Sequence, residues 1–157
     1  MLSLTTESIW GTHAMSAYKH VLVGLDLSPE SQQVVDRVKC LFTGSDQKIS
    51  LIHIQEPLSF AYGGDIPMDL TEVQNQLEEQ AKARLIAIGN EINVAAADQH
   101  VIIGQPAHEM HRFASENNVD LIVVGSHGRH GFSLILGSTS TGVLHGSECD
   151  VLAVRVN

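Results

Sequence analysis

The sequence has little of what marks several large classes of protein. It contains two cysteines and no C-x-x-C motif, so we predict Cys40 and Cys149 to be small buried or half-buried residues rather than a disulfide. No apolar run approaches the roughly 18 residues that a membrane-spanning helix needs. Lysine and arginine number 9 against 18 acidic residues, for a net charge of −9. Without a basic excess, nonspecific binding to nucleic acid or to an anionic membrane is not expected.

What is present fits one soluble globular domain. Apolar residues make up 43% and charged residues 17% of the 157 residues, enough for a real core. Residues 1–14 show no clear period and lack the basic start and long apolar stretch of a secretory signal. We expect them to be a disordered extension, or residues ahead of a start at Met15, with the domain spanning 15–157. A cytoplasmic location is the default expectation.

Strand and helix patterns alternate along the chain from Tyr18. Apolar, β-forming runs predict strands at 20–26, 48–54, 97–104, 119–126 and 150–156. Helical spacing predicts helices at 31–42, from Asp69 onward, at 106–117 and at 138–145. The alternation predicts an α/β fold with one doubly wound, five-stranded parallel sheet of order 3-2-1-4-5 and helices on both faces, as in Rossmann-like proteins.

The helix that follows Asp69 has the longest apolar pattern. Asp69 and Glu72 have the spacing of a capping box, so Asp69 is the predicted N-cap. One buried stripe is expected along its length, formed by Leu70, Val73, Leu77, Ala81, Leu85 and Ile88.

A glycine-rich segment follows the fourth predicted strand. Residues 125–142, GSHGRHGFSLILGSTSTG, contain no acidic residue in an otherwise acidic chain. A helix N-terminus binds phosphate through unpaired amides, and four glycines allow close approach: Gly125, Gly128, Gly131 and Gly137. Ser138 and Thr139 can donate hydroxyl hydrogen bonds, and Arg129 can add charge. The sequence therefore predicts a cradle for nucleotide phosphates, with a flexible turn capped by Ser138 as the alternative.

Four segments together resemble the universal stress protein family. They are YKHVLVGLDLSPES at 18–31, SLIHI at 50–54, DLIVVGSHGRHG at 120–131 and GSTSTGVLHGSECDVLAVRV at 137–156. The resemblance implies a five-stranded α/β fold, a homodimer and a role in stress resistance. One branch of the family binds ATP through a Gly-x2-Gly-x9-Gly-Ser/Thr loop, whereas the other branch lacks the loop and binds none.

The resemblance also implies a set of binding residues. It places Asp26 near the nucleotide, the backbone at Ile54 against the adenine, and the loop residues around the phosphates: Gly125, Gly128, Arg129, Gly137, Ser138 and Thr139. Asp26 has the alternative role of a turn or capping carboxylate. Eight residues separate Gly128 from Gly137, one fewer than in the pattern, and the segment LSFAYGGDIPMDL is similar to the branch that binds no ATP.

Three functions are compatible with these sequence features. The preferred one is a regulatory protein that is not an enzyme and that binds ATP or a related adenine nucleotide, with magnesium as a candidate companion ion. The others are a stress-protein dimer that acts through protein partners without nucleotide, and a slow ATP hydrolase in which Asp26 assists through magnesium. No Ser-His-Asp arrangement and no G-x-S-x-G motif is visible, so no catalytic residue is assigned.

The last predicted strand is a candidate dimer interface. Val151 to Val156 end the chain at a sheet edge in the predicted order, and an apolar edge strand invites pairing with another chain. The alternative is that residues 1–14 cover this edge, with Trp10 as an anchor.

Histidines suggest two further hypotheses. His108 and His111 have the i, i+3 spacing of a ligand pair, but no third ligand is placed beside them, so no metal site is assigned. His127, His130 and His145 surround the glycine-rich segment in sequence and could make nucleotide binding sensitive to pH.

Overall fold

The computed structural model describes residues 18–42, 44–61, 69–127 and 137–157. Within these ranges the strands are β1 (His20–Gly24), β2 (Lys48–Gln55), β3 (Gln99–Ile103), β4 (Leu121–His127) and β5 (Asp150–Val156). The helices are α1 (Ser31–Phe42), α2 (Leu58–Ala61), α3 (Thr71–Glu91), α4 (Pro106–Glu116) and α5 (Ser138–Gly146). The predictions for residues 1–14, for Gly128, Arg129, His130 and Gly131, and for an N-terminal cover on the last strand lie outside the described residues.

The sheet confirms the predicted fold. All strand pairs are parallel, and the order is β3-β2-β1-β4-β5. Val23 of the central strand lies opposite Leu51 on one side and Val123 on the other. Every residue of β1 is buried, because helices cover both faces of the sheet.

The two faces of the sheet form two separate cores. Val21 and Val23 point to one face, where they pack with side chains of α1 and α3. Leu22 points to the other face, where it packs with side chains of α4 and α5. The alternation along one strand thus divides its apolar residues between the two helical layers. Each fully buried valine or leucine stabilises the fold by about 1.5–3 kcal/mol.

The predicted stripe of α3 is buried only in its C-terminal half. Ala81 and Leu85 are buried, whereas Val73 and Leu77 are 46% and 39% exposed. A helix of 21 residues is about 30 Å long at 1.5 Å per residue. The five-residue β3 spans only about 17 Å. The first turns of α3 therefore extend past the carboxyl end of β3.

Several predicted boundaries shift by a few residues. Leu70, not Asp69, is the N-cap of α3, although the Asp69 carboxylate accepts a 3.0 Å hydrogen bond from the Thr71 amide. Hydrogen bonds from the Thr71 side chain and backbone lower the pKa of Asp69. A 3-10 turn at Ala96–Asp98 replaces the predicted start of the third strand, and α2 lies in a segment for which no helix was predicted.

The two cysteines form no disulfide with each other. Both cysteines are free; Cys149 is half-buried as predicted, but Cys40 is exposed, because it lies on the solvent face of α1. Across the described ranges, no helix combines the length and apolar character that crossing a bilayer requires.

Candidate functional site

A cavity of about 630 Å³ opens at the carboxyl ends of β1 and β4. After β1 the chain turns to α1 on one face of the sheet, and after β4 it turns to α5 on the other face. Two neighbouring strands that lead away in opposite directions leave a gap between them, which is where ligands bind in open α/β sheets. The described lining residues are Gly24, Leu25, Asp26, Ser31, Val34, Ile54, Pro106, Met110, Val124, Gly125, Gly137, Ser138, Thr139, Ser140 and Val156.

The N-terminus of α5 forms one wall of the cavity. Gly137 is its N-cap and makes no side-chain capping bond, and the first turn contains no acidic residue. The first bond within the helix runs from the Thr141 amide to the Gly137 carbonyl, at 2.9 Å. The amides of residues 138–140 therefore have no acceptor within the helix, and the helix dipole makes this end positive. Such a wall suits an anionic group.

One hydroxyl attaches this wall to the sheet. Ser140 is 2% exposed, and its Oγ donates a 2.7 Å hydrogen bond to the carbonyl oxygen of Gly125 in β4. Ser138 is exposed and Thr139 is half-buried, and both line the cavity. The three hydroxyl residues thus have different roles, since one holds the helix in place and two face the open space.

The two described glycines of the predicted phosphate loop differ in what surrounds them. A Cβ at Gly137 would have no atom within 4 Å, so packing does not require glycine there. A Cβ at Gly125 would lie 3.1 Å from Val34 Cγ2 and 3.3 Å from Val156 Cγ2. The absence of a side chain at Gly125 therefore serves packing against α1 and β5. The absence at Gly137 leaves space open in the cavity.

Another part of the cavity lining is apolar. Ile54, Met110 and Val124 are buried to 8%, 5% and 3% exposure, and each contributes to the lining. A Cβ at Gly24 would come within 2.5 Å of the Met110 methyl group, so glycine makes room for this side chain. A cavity lined both by apolar side chains and by a polar helix terminus fits a ligand with an apolar part and an anionic part.

Asp26 lines the cavity but also stabilises its own turn. Its Oδ1 accepts hydrogen bonds from the Ser28 amide at 3.0 Å and from the Ser28 hydroxyl at 2.7 Å. The Ser28 hydroxyl thus binds Asp26, and α1 begins three residues later at Ser31. Both the turn role and the position facing the cavity are therefore present in one carboxylate.

The loop between β1 and α1 has a strained backbone. Leu27 has a φ of 59°, and the other described non-glycine residues with positive φ are both asparagines. Asparagine tolerates this left-handed region, whereas a leucine costs about 1–2 kcal/mol there. Leu27 is nevertheless 7% exposed, so its burial helps to offset this cost.

Side chains from three elements bind the carbonyls of this loop. His53 Nδ1 in β2 donates to the Leu25 carbonyl at 2.8 Å. Arg84 Nη1 in α3 donates to the Leu27 carbonyl at 3.1 Å, and Ser31 Oγ in α1 donates to the Ser28 carbonyl at 2.6 Å. These bonds hold the strained loop in one conformation.

All six of the predicted site residues that the structure describes come together. Asp26, Ile54, Gly125, Gly137, Ser138 and Thr139 all line the cavity. Sequence reasoning missed Pro106 and Met110, which line it from α4; it read them only as a helix start and a core residue. It also missed His53 and Arg84, for which the available signal was a polar residue within an apolar strand and a cation beside the buried stripe of α3.

The histidine pair lies elsewhere. His108 and His111 line a second cavity of about 440 Å³, and His111 Nε2 donates to the Val143 carbonyl at 2.9 Å. Within the described ranges, no group of three or more histidine, cysteine, aspartate or glutamate side chains is arranged to hold a metal ion. His145 is exposed on the last turn of α5.

The fold and the crevice define a doubly wound α/β protein with a ligand-type cavity at the point where the strand order reverses. The sequence model of the universal stress protein family matches residues 17–155. Universal stress protein A homolog 2 of Coxiella burnetii is 44% identical over 146 residues, which cover 90% of this chain and 98% of that protein. Homolog 1 of the same organism is 37% identical over 139 residues, covering 87% and 96%. The chain belongs to the universal stress protein family.

Solved structures agree with this assignment. A hypothetical protein whose biochemical function was assigned from its structure superposes with a TM-score of 0.71 at 26% identity, covering 88% of this chain and 96% of its own. A universal stress protein in complex with cAMP superposes with a TM-score of 0.60 at 27% identity, covering 90% and 100%.

Proposed function

We propose that this universal stress protein is a regulatory binder of an adenine nucleotide, ATP or a close relative, held in the crevice between β1 and β4. The observation that carries the proposal is the first turn of α5. It presents amides without intrahelical acceptors, and Gly137 leaves the space before it open although packing does not require a glycine. The relative that was solved with cAMP has the same fold, and its ligand is an adenine nucleotide.

The parts of a nucleotide match the two walls of the cavity. The base would lie against the apolar wall of Ile54 and Met110, and the phosphates would lie at the amides and hydroxyls of Ser138 and Thr139. Asp26 is the only charged side chain among the described lining residues. A carboxylate beside phosphates is repulsive, so we expect a divalent cation such as magnesium to bridge them.

The same proposal includes a homodimer formed through β5. This strand is at the edge of the sheet, and its outer side has no strand partner among the described residues. Val154 and Val156 are buried in the chain's own core, whereas Val151 and Leu152 are half-buried and Ala153 is exposed. A second β5 across a twofold axis would pair the free N–H and C=O groups and cover these side chains.

The experiment is to identify and measure the nucleotide directly. The purified protein is denatured, and any released nucleotide is identified by mass spectrometry. Calorimetry with ATP, cAMP and GTP follows, with magnesium and then with EDTA. We expect adenine nucleotides to bind more tightly than GTP, and ATP to bind more tightly with magnesium. A chain that binds none of them would contradict the proposal. Steady ATP turnover in the same samples would favour the hydrolase instead.

A further inference from the structure

We propose that Arg84, which lies outside the described lining of the crevice, is a positioning residue that holds the Asp26 carboxylate in place for the ligand. The inference rests on the proposed function for the identity of the ligand. It rests on geometry for everything else. Its basis is the strained turn at Leu27, which comes between Asp26 and the Ser28 groups that bind it.

The first step is the conformation of the turn. Leu27 is left-handed, with a φ of 59°, and this reversal brings the Ser28 amide and hydroxyl onto Asp26 Oδ1, at 3.0 Å and 2.7 Å. A leucine leaves this conformation readily unless its surroundings hold it. If Leu27 relaxed, both Ser28 bonds would be lost, and they would no longer help to orient the carboxylate in the cavity.

The second step is the anchor. Arg84 Nη1 donates to the carbonyl of Leu27 itself, at 3.1 Å. A guanidinium donor makes this bond charge-assisted. The next residue, Leu85, is 1% exposed. Its burial fixes this part of α3 against the sheet, unlike the first turns of the helix. Arg84 therefore acts from a packed part of α3 on the strained residue of this loop.

His53 and Ser31 bind the carbonyls of residues before and after Leu27, whereas Arg84 binds the carbonyl of Leu27 itself. His53 binds Leu25, before the turn, and Ser31 binds Ser28, after it. The two bonds fix the ends of the loop, and the Arg84 bond fixes the peptide between them. Removal of Arg84 should thus change the turn without detaching the loop.

The test is a double-mutant cycle read as affinity for ATP with magnesium. Arg84→Met removes the donor and keeps much of the aliphatic stem; Asp26→Asn keeps the shape of the carboxylate and removes its charge. We expect Arg84→Met to weaken binding about tenfold in the native chain and less than about twofold in the Asp26→Asn background, as coupled neighbours do. Arg37→Met, on the exposed face of α1, is the matched control and should bind as the native chain does. Equal losses in the two backgrounds would overturn the inference.

A second measurement needs no ligand. The water exchange rate of the Ser28 amide, measured by NMR in the nucleotide-free protein, should rise in Arg84→Met and stay unchanged in Arg37→Met. An unchanged rate in Arg84→Met would overturn the inference whatever the affinities are. If the native chain binds no nucleotide, the proposed function fails, and this exchange rate alone decides whether Arg84 holds the turn.

Discussion

The hydroxyl of Ser140 donates a 2.7 Å hydrogen bond to the carbonyl oxygen of Gly125. The bond joins the first turn of α5 to the end of β4, and so it sets the direction in which the N-terminus of the helix points. Since one wall of the cavity is built from this turn, this bond helps to determine the geometry of the wall.

Ser140 and Ser138 provide a matched pair for testing this relationship. Ser140→Ala leaves the Gly125 carbonyl without its donor, and we expect a stability loss of about 1 kcal/mol together with weaker nucleotide binding. Ser138→Ala, at an exposed position, should leave stability unchanged and still weaken ATP binding about tenfold, as loss of a hydrogen bond to a charged group does. Urea unfolding and calorimetry measure the two quantities. Unchanged affinity in Ser138→Ala would remove this hydroxyl from the site.

Substitution by valine should affect the stability of the fold differently at Gly137 and at Gly125. Gly137→Val meets no atom within 4 Å of its Cβ, so the stability cost should not exceed about 1 kcal/mol, the cost of a poor N-cap. The new side chain should nevertheless fill the space before α5 and abolish ATP binding. Gly125→Val places its Cβ against Val34 and Val156 and should cost about 1–3 kcal/mol through overpacking. Thermal unfolding and calorimetry distinguish the two; full ATP affinity in a folded Gly137→Val would place the phosphates elsewhere.

The dimer proposal predicts different effects at the two edges of the sheet. Ala153→Glu puts a charge at the outer edge strand β5, where two copies would bring like charges together across the twofold axis. We expect folded monomers by light scattering at micromolar concentration. Ile103→Glu, on the opposite edge strand β3 and 44% exposed in the native chain, should leave the dimer intact. A native chain that is monomeric under these conditions would end the proposal.

His100 predicts part of the acid sensitivity of the fold. Its ring lies against Phe113 with centroids 4.7 Å apart, and burial lowers its pKa; Lys48 and His20 act in the same direction, while Asp98 opposes them. The folded state therefore binds fewer protons than the unfolded chain, whose histidine titrates near 6.5. The contribution of the uncharged His100 ring to stability is complete above about pH 6.5. It is lost as the pH falls through that value toward the lowered pKa of the folded state.

We expect His100→Gln to lose less stability than the native chain between about pH 7 and pH 5, as measured by urea unfolding at each pH. His108→Gln, at an exposed position on α4, is the comparison. Parallel stability profiles for the native chain and His100→Gln would show that this histidine does not contribute to the pH dependence.

The sequence by itself determined the fold class, the strand order and six of the fifteen described residues that line the cavity. The apolar runs of the strands and the helical spacing between them are local patterns, and parallel strands joined by helices permit few topologies. Asp26, Gly137 and Ser138 each follow a strand or begin a helix, so their place at the carboxyl edge followed from the order of elements alone. The residues beyond the described ranges stay at the level of prediction.

Only the tertiary structure decided what each residue does there. Packing against Val34 and Val156 explains Gly125, and open space explains Gly137, although the two look alike in sequence. Arg84 and Leu27 are separated by 57 positions, and no local pattern relates them. The difference in length between α3 and β3 decided which half of the apolar stripe on α3 is buried. In each case the outcome depends on distances between elements. The spacing of apolar residues along the chain does not determine these distances.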